Sequence, residues 1–155
     1  MSLLLAVLVA ATPAGRETIG VYQGWGAFRD ATPARCYAIA RPVAAGGRTG
    51  GWASIATWPG RGLRNSLHIR LSRPRERAAR VTLSVGERRF DLAATDRDAW
   101  ATDGPSDRAI LAALRSGRSM SIEAVATGGR PFADVYRLAG AATAIDAAAL
   151  ACAGR

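Results

Sequence analysis

Lysine is absent from this chain: its 21 basic side chains are all arginines, set against 12 acidic residues for a net charge of +9. Guanidinium groups make bidentate contacts to phosphate and carboxylate better than ammonium groups do. A genome rich in Arg, Ala and Gly codons gives the same composition, and the abundant alanine and 17 glycines agree with that origin. The missing lysine therefore marks no site. Histidine and cysteine are nearly as scarce, with one and two residues. Without a CxxC pair, and with one histidine, the chain lacks the donors of a metal or redox centre, and no metal or cofactor is expected. No apolar run reaches the roughly 18–20 residues of a membrane-crossing helix.

Catalytic motifs are missing too. A Ser-His-Asp hydrolase would have to use His68, yet there is no GxSxG elbow, and Ser66 and Ser72 lie on the same regular strand face as that histidine. His68 reads as a solvated strand residue. Asp91, Asp96, Asp98, Asp103 and Asp107 lack the D-x-D-x-D-G spacing of a calcium loop and fit turn and helix-cap roles. No catalytic residue is assigned, and no enzyme is expected.

What is present suits one domain. The chain has 155 residues, 49% of them apolar and 21% charged, which is globular rather than disordered. Residues 1–11 hold the apolar run Leu3–Ala11, followed by small residues, with Val9 and Ala11 at the small positions of a cleavage site. This layout predicts a secretory signal peptide over 1–11 and a folded domain over 12–155. Its n-region carries only the α-amino charge. Pro13 and Gly15 interrupt the run where a buried helix would continue.

Past the leader, residues 20–30 (GVYQGWGAFRD) read as a first strand with close backbone approach at Gly24 or Gly26. In the strand Arg35–Arg41, Tyr37 and Ile39 share one face, and Cys36, Ala38 and Ala40 the other. Trp52–Trp58 is strand-like and stops at Pro59-Gly60. Ser66–Ser72 alternates strictly, with Leu67, Ile69 and Leu71 inward and His68 and Arg70 outward. Val81–Val85 turns through Gly86-Glu87 into Arg88–Leu92, and a short edge segment is expected around Ala99–Ala101. Pro105–Ser116 changes to helical spacing at Ile110, Leu111 and Leu114, with Asp107 near the positive end of the dipole and Gly117 beyond the last turn. A hairpin follows, alternating from Met120 to Ala126 and turning at Gly128-Gly129. The tail places Ile145, Ala148, Ala149 and Cys152 on one helical stripe. The expected fold is mainly β: a single-domain β-sandwich or open barrel of about eight short antiparallel strands, with two short helices, one of them C-terminal.

Cys36 and Cys152 both fall on apolar faces, which points to a structural disulfide in an exported protein. A reactive thiol is the alternative, but neither cysteine has an adjacent histidine to lower its pKa. Arg70, Arg73, Arg75, Arg77 and Arg80 put five guanidinium groups into eleven residues, opposed only by Glu76. They read as an anion-binding patch for phosphate-bearing glycolipid or nucleic acid, or as a solvated connection between strands. Nucleic acid fits less well, because this stretch lacks the interleaved aromatics that stack bases.

The motifs Trp25-x-x-Phe28-x-Asp30, Arg35–Pro42 (RCYAIARP), Ser54–Gly60 (SIATWPG), Val81–Gly86 (VTLSVG) and Asp98–Ala101 (DAWA), with an Ala-rich helix ending at Cys152, occur in order along the chain. Together they resemble the invasion-associated locus B family of bacterial proteins. That resemblance implies an exported β protein, periplasmic or envelope-associated, from a Gram-negative bacterium, and it brings no catalytic residues. Members commonly carry an aromatic near the start of the last helix, where this chain has Ala141-Ala142, so looser packing is expected there. The expected function is a monomeric, non-catalytic interaction protein whose partner is an unidentified envelope or host-surface component, with anionic lipid or glycolipid as candidates. The alternative is a small basic module for nucleic acid or anionic glycan.

Overall fold

The computed structural model describes residues 15–46 and 50–154; the expected signal peptide and its cleavage point lie outside the described residues. The chain runs β1 (Arg16–Tyr22), β2 (Trp25–Asp30), β3 (Arg35–Ala40), β4 (Trp52–Trp58) and β5 (Leu63–Arg70). It continues through β6 (Val81–Val85), β7 (Arg88–Ala94), β8 (Asp98–Ala101) and helix α1 (Gly104–Ser116), and ends with β9 (Ser119–Val125), β10 (Pro131–Arg137) and helix α2 (Ala141–Cys152). The mainly β architecture with two helices, the second C-terminal, agrees with the pattern in the sequence. Ten strands form one open antiparallel sheet in the order β1-β2-β3-β4-β5-β8-β7-β6-β9-β10.

Two local expectations are corrected. Residues 20–30 form not one strand but a hairpin, turning at Gln23 (φ 55°) and Gly24 so that Tyr22 pairs with Trp25. The segment around Trp100 is not an edge: β8 lies mid-sheet between β5 and β7, with Ala99 fully buried. Strand length and polarity suggest an edge, but the meander β6–β8 folds back and inserts its last strand beside β5. The chain then needs α1 to reach β9, three strand spacings away. A 13-residue helix is roughly 20 Å long, and three spacings of about 4.8 Å come to less than that.

The sheet curls around one core. Leu67, Ile69 and Leu71, Val81 and Leu83, and Met120 and Ile122 meet Ile110 and Leu114 of α1 and Ile145 of α2. Polar contacts hold the curl where the two ends of the sheet approach. The Trp25 indole donates to the Arg137 carbonyl at 2.8 Å, and Val43 N–H donates to the Val135 carbonyl at 2.7 Å. Asp134, fully buried, accepts from Ser72 N–H (2.8 Å), the Ser72 hydroxyl and Gly46 N–H (3.0 Å). A buried carboxylate is tolerable only when its lone pairs are filled in this way.

Helix α2 lies against β1 to β4. Its alanines allow close approach, and Cys36 of β3 is disulfide-bonded to Cys152, with Cα atoms 5.9 Å apart. Ala141 packs fully buried rather than loosely. The chain enters α2 through Gly140 at φ 85°, where an added Cβ would come within 2.1 Å of the Tyr22 carbonyl oxygen. Helix α1 is capped by Asp103, which accepts from Ser106 N–H at 2.7 Å, and Arg115 pairs with Asp146 to join the two helices.

Candidate functional site

Because side chains alternate along a strand, the face of β3 opposite Cys36, Ala38 and Ala40 carries Tyr37 and Ile39. Antiparallel register continues that face through Ser54 and Ala56 on β4, Ser66 and His68 on β5, and Trp100 on β8. Both helices pack on the other side of these strands. The uncovered face holds a groove of about 550 Å³, walled by Trp52, Trp58 and Trp100 and by Arg16, Arg35 and Arg61. That volume is within the range of small-ligand sites.

One end of the groove is a ladder of guanidinium and aromatic groups. Arg35 lies over Tyr37 (4.4 Å to the ring centroid) and over Trp58 (5.2 Å), Arg61 lies over Trp58 (4.9 Å), and Arg16 approaches Tyr37 (5.8 Å). Phe28 stacks on Tyr37 with centroids 5.7 Å apart. Phe28 also lies back over Gly26, where a Cβ would sit 2.6 Å from its ring, so the close approach foreseen for Gly24 or Gly26 falls at Gly26. Asp30 fastens the ladder, accepting from Arg16 Nε at 2.9 Å and Arg35 Nε at 2.8 Å. Burial pushes the Asp30 carboxyl up, but the hydrogen bonds and charges of Arg16 and Arg35 outweigh it and hold the pKa below the usual value. The Tyr37 hydroxyl is pushed up, first by burial and then by the Asp30 charge. Three guanidinium groups against one carboxylate leave this end positive.

The other end is aromatic and balanced in charge. The His68 ring stacks on Trp100 (centroids 5.0 Å apart, 18° between planes) and meets Trp52 edge-on (4.7 Å, 79°). His68 Nε2 is 3.0 Å from Asp98 Oδ1, so that nitrogen carries the proton and donates to the acceptor-only carboxylate. Asp98 also takes Arg70 Nη1 at 2.6 Å. His68 is therefore held between two indoles, not free in solvent, and its partner is a carboxylate on the same face rather than a serine.

The five arginines grouped in the sequence go to separate partners. Arg70 joins Asp98; Arg77 pairs with Asp96 at 2.9 Å; Arg80 faces Asp91 at 3.6 Å. Arg75 donates to the carbonyls of Thr95, Ala79 and Ala94 at 2.6–3.0 Å and to two more at 3.1 Å, which makes it a clamp for the loop around it. Arg73 is half-buried beside them. Cys36 and Cys152 meet on the inner face, behind the groove floor. Of the aspartates read as turn and cap residues, Asp103 caps α1, whereas Asp107 accepts from Leu67 N–H (2.8 Å) and the Ser66 hydroxyl (3.2 Å). Burial raises the Asp107 pKa, and these bonds offset it only in part.

The groove as a site was missed in the sequence because its members lie on six strands. A usable signal existed in the motifs themselves. They divide by parity: Trp25, Cys36, Val81 and Leu83 go to the core, while Phe28, Asp30, Arg35, Tyr37, Trp58 and Trp100 line the groove or fasten it.

Comparison with known proteins agrees with this architecture. The crystal structure of invasion associated protein B from Bartonella henselae superposes with a TM-score of 0.62 at 17% identity, covering 84% of this chain and 94% of that one. A search of curated protein sequences finds no match. The family model described as "Invasion associated locus B (IalB) protein" matches residues 27–149, from β2 to the last turns of α2. The chain belongs to the invasion-associated locus B family.

Proposed function

We propose that the protein is an exported, non-catalytic binding protein of the bacterial envelope or periplasm, and that the groove on the uncovered sheet face is its binding surface. The observation that carries this is the groove's construction. Its aromatic rings and guanidinium groups are held in place by ion pairs and stacking before any ligand arrives, which lowers the entropy cost of recognition. Its titratable groups are engaged as structural partners: His68 with Asp98, Asp30 with two arginines. The Cys36–Cys152 disulfide and the family support an extracytoplasmic setting. No helix of the described residues is long and apolar enough to cross a membrane.

Ion pairs and carbonyls already occupy most guanidinium groups of the connection from Arg70 to Arg80, so it is secondary to the groove as a contact for anions. Expression in a Gram-negative host, followed by fractionation and intact-mass measurement, tests the location. Protein cleaved after Ala11 in the periplasmic or envelope fraction is expected; full-length protein in the cytosol would overturn it. Capture from envelope extract tests the surface: an Arg35→Gln/Arg61→Gln variant should lose the captured component, and undiminished capture would remove the groove from the proposal.

A further inference from the structure

The geometry points to an anionic saccharide as the ligand of this groove: a sugar ring at the Trp52–His68–Trp100 end and a carboxylate or phosphate at the Arg35–Arg61 end. The inference rests on the groove being the binding surface and adds the chemistry of what it takes.

The two ends of the groove impose different requirements. At the arginine end, Arg35 lies over Tyr37 and Trp58 and Arg61 over Trp58, so each guanidinium is held against a ring with N–H groups left to donate. Asp30 takes only the Nε of Arg35, and among the described residues Arg61 has no acidic partner. A planar guanidinium fixed in this way presents a fork that suits an oxyanion. At the other end, Asp98 and Arg70 cancel, so a second anionic group gains nothing there. Indole and imidazole rings present apolar surface edged by N–H groups, which suits a pyranose, whose C–H face packs on an aromatic while its hydroxyls hydrogen-bond.

Between the ends lie Ser54 and Ser66, small and polar, on a floor with Ile39 and Ala56. About 550 Å³ accommodates a few sugar rings rather than one ion. A nucleotide would also supply a ring and a phosphate. The setting favours the saccharide: the Cys36–Cys152 disulfide fits an extracytoplasmic chain, where glycans rather than nucleotides abound.

The test uses the disulfide-bonded chain and its four indole N–H signals in NMR titrations. The probes are a hexuronate-containing tetrasaccharide, an acyl-free disaccharide bisphosphate, a neutral glucose tetrasaccharide and a short oligothymidylate. Trp25, buried and bonded to the Arg137 carbonyl, is the internal control. The expected result is saturable movement of the Trp52, Trp58 and Trp100 signals by an acidic saccharide, with Trp25 still. The tighter of the two acidic probes identifies carboxylate or phosphate as the anion. Arg61→Gln should weaken that binding at least tenfold, and Arg77→Gln, which removes the same charge elsewhere, should leave it within twofold.

Equal binding of the neutral tetrasaccharide overturns the anionic requirement, and tighter binding of oligothymidylate with the same three signals moving overturns the saccharide assignment; either result keeps the groove. Backbone amide shifts confined to residues 70–80, with all four indole signals still, overturn both. No response to either acidic saccharide overturns the inference, while the groove itself is then judged by the envelope capture.

Discussion

The two faces of the β3–β5 region are built from alternate residues of the same strands, yet they follow different physics. The inner face, with Cys36, Ala38, Leu67 and Ile69, is sealed by α2 and by a covalent bond. Small side chains there draw the helix close. The outer face, with Tyr37, Ser54, His68 and Trp100, buries its aromatics against one another and against arginines rather than under a helix. Tyr37 is only 4% exposed although no helix covers it. A sheet face can thus be shielded in two ways, and only the second leaves hydrogen-bond donors pointing outward.

Breaking the seal of the inner face should have the largest effect. The disulfide closes a separation of 116 residues, and removing such a bond by Cys36→Ala/Cys152→Ala should cost about 2–5 kcal/mol in urea denaturation. A loss below about 1 kcal/mol would mean that the alanine-rich helix contact holds α2 by itself.

A smaller effect separates the faces residue by residue. Ile69→Val on the inner face should cost about 0.5–1.5 kcal/mol, because the void left by one methylene cannot collapse in a packed core. Ile39→Val, half-buried on the groove floor, should cost less than half as much. Equal costs in the same denaturation experiment would show that the groove floor is packed like the core.

The smallest effect concerns acid, where Asp30 and Asp107 should differ in sign. Asp30, on the groove side, has a lowered pKa in the fold. Its contribution is present above the ordinary carboxylate pKa of about 3.9 and is lost as pH falls through the lower folded value. Asp107, between α1 and β5, has a raised pKa. The folded state takes up that proton first, so stability rises as pH falls from the raised value toward about 3.9. In pH-dependent urea midpoints, Asp30→Asn should flatten the loss below that pH and Asp107→Asn the rise above it. Changes of the same sign in both variants would contradict this assignment.

Local alternation made much of the inner face legible in advance. Leu67, Ile69 and Leu71 point inward as their spacing requires, the turns at Gly86-Glu87 and Gly128-Gly129 fall where glycine allows them, and both helices follow their apolar stripes. The arginines were harder to read. Five within eleven residues read as a patch or as a solvated connection between strands; Arg75 turns into its own loop, and Arg70, Arg77 and Arg80 pair with aspartates. Arg16, Arg35 and Arg61, scattered over 46 positions, share one groove. Density along the chain says little about density in space when each long side chain can choose among partners.

From the sequence alone come the β-rich class, the strand faces, the helices, the pairing available to two cysteines and the motifs of the family, because each depends on contacts within a few residues or on chemistry that has no other partner. The order of strands, with β8 beside β5 and β6 beside β9, belongs to the tertiary structure, since it turns on where a meander folds back. So does the groove. Trp52, His68 and Trp100 become neighbours only once three strands lie in register, and a one-residue slip in any of them would send its ring to the other face.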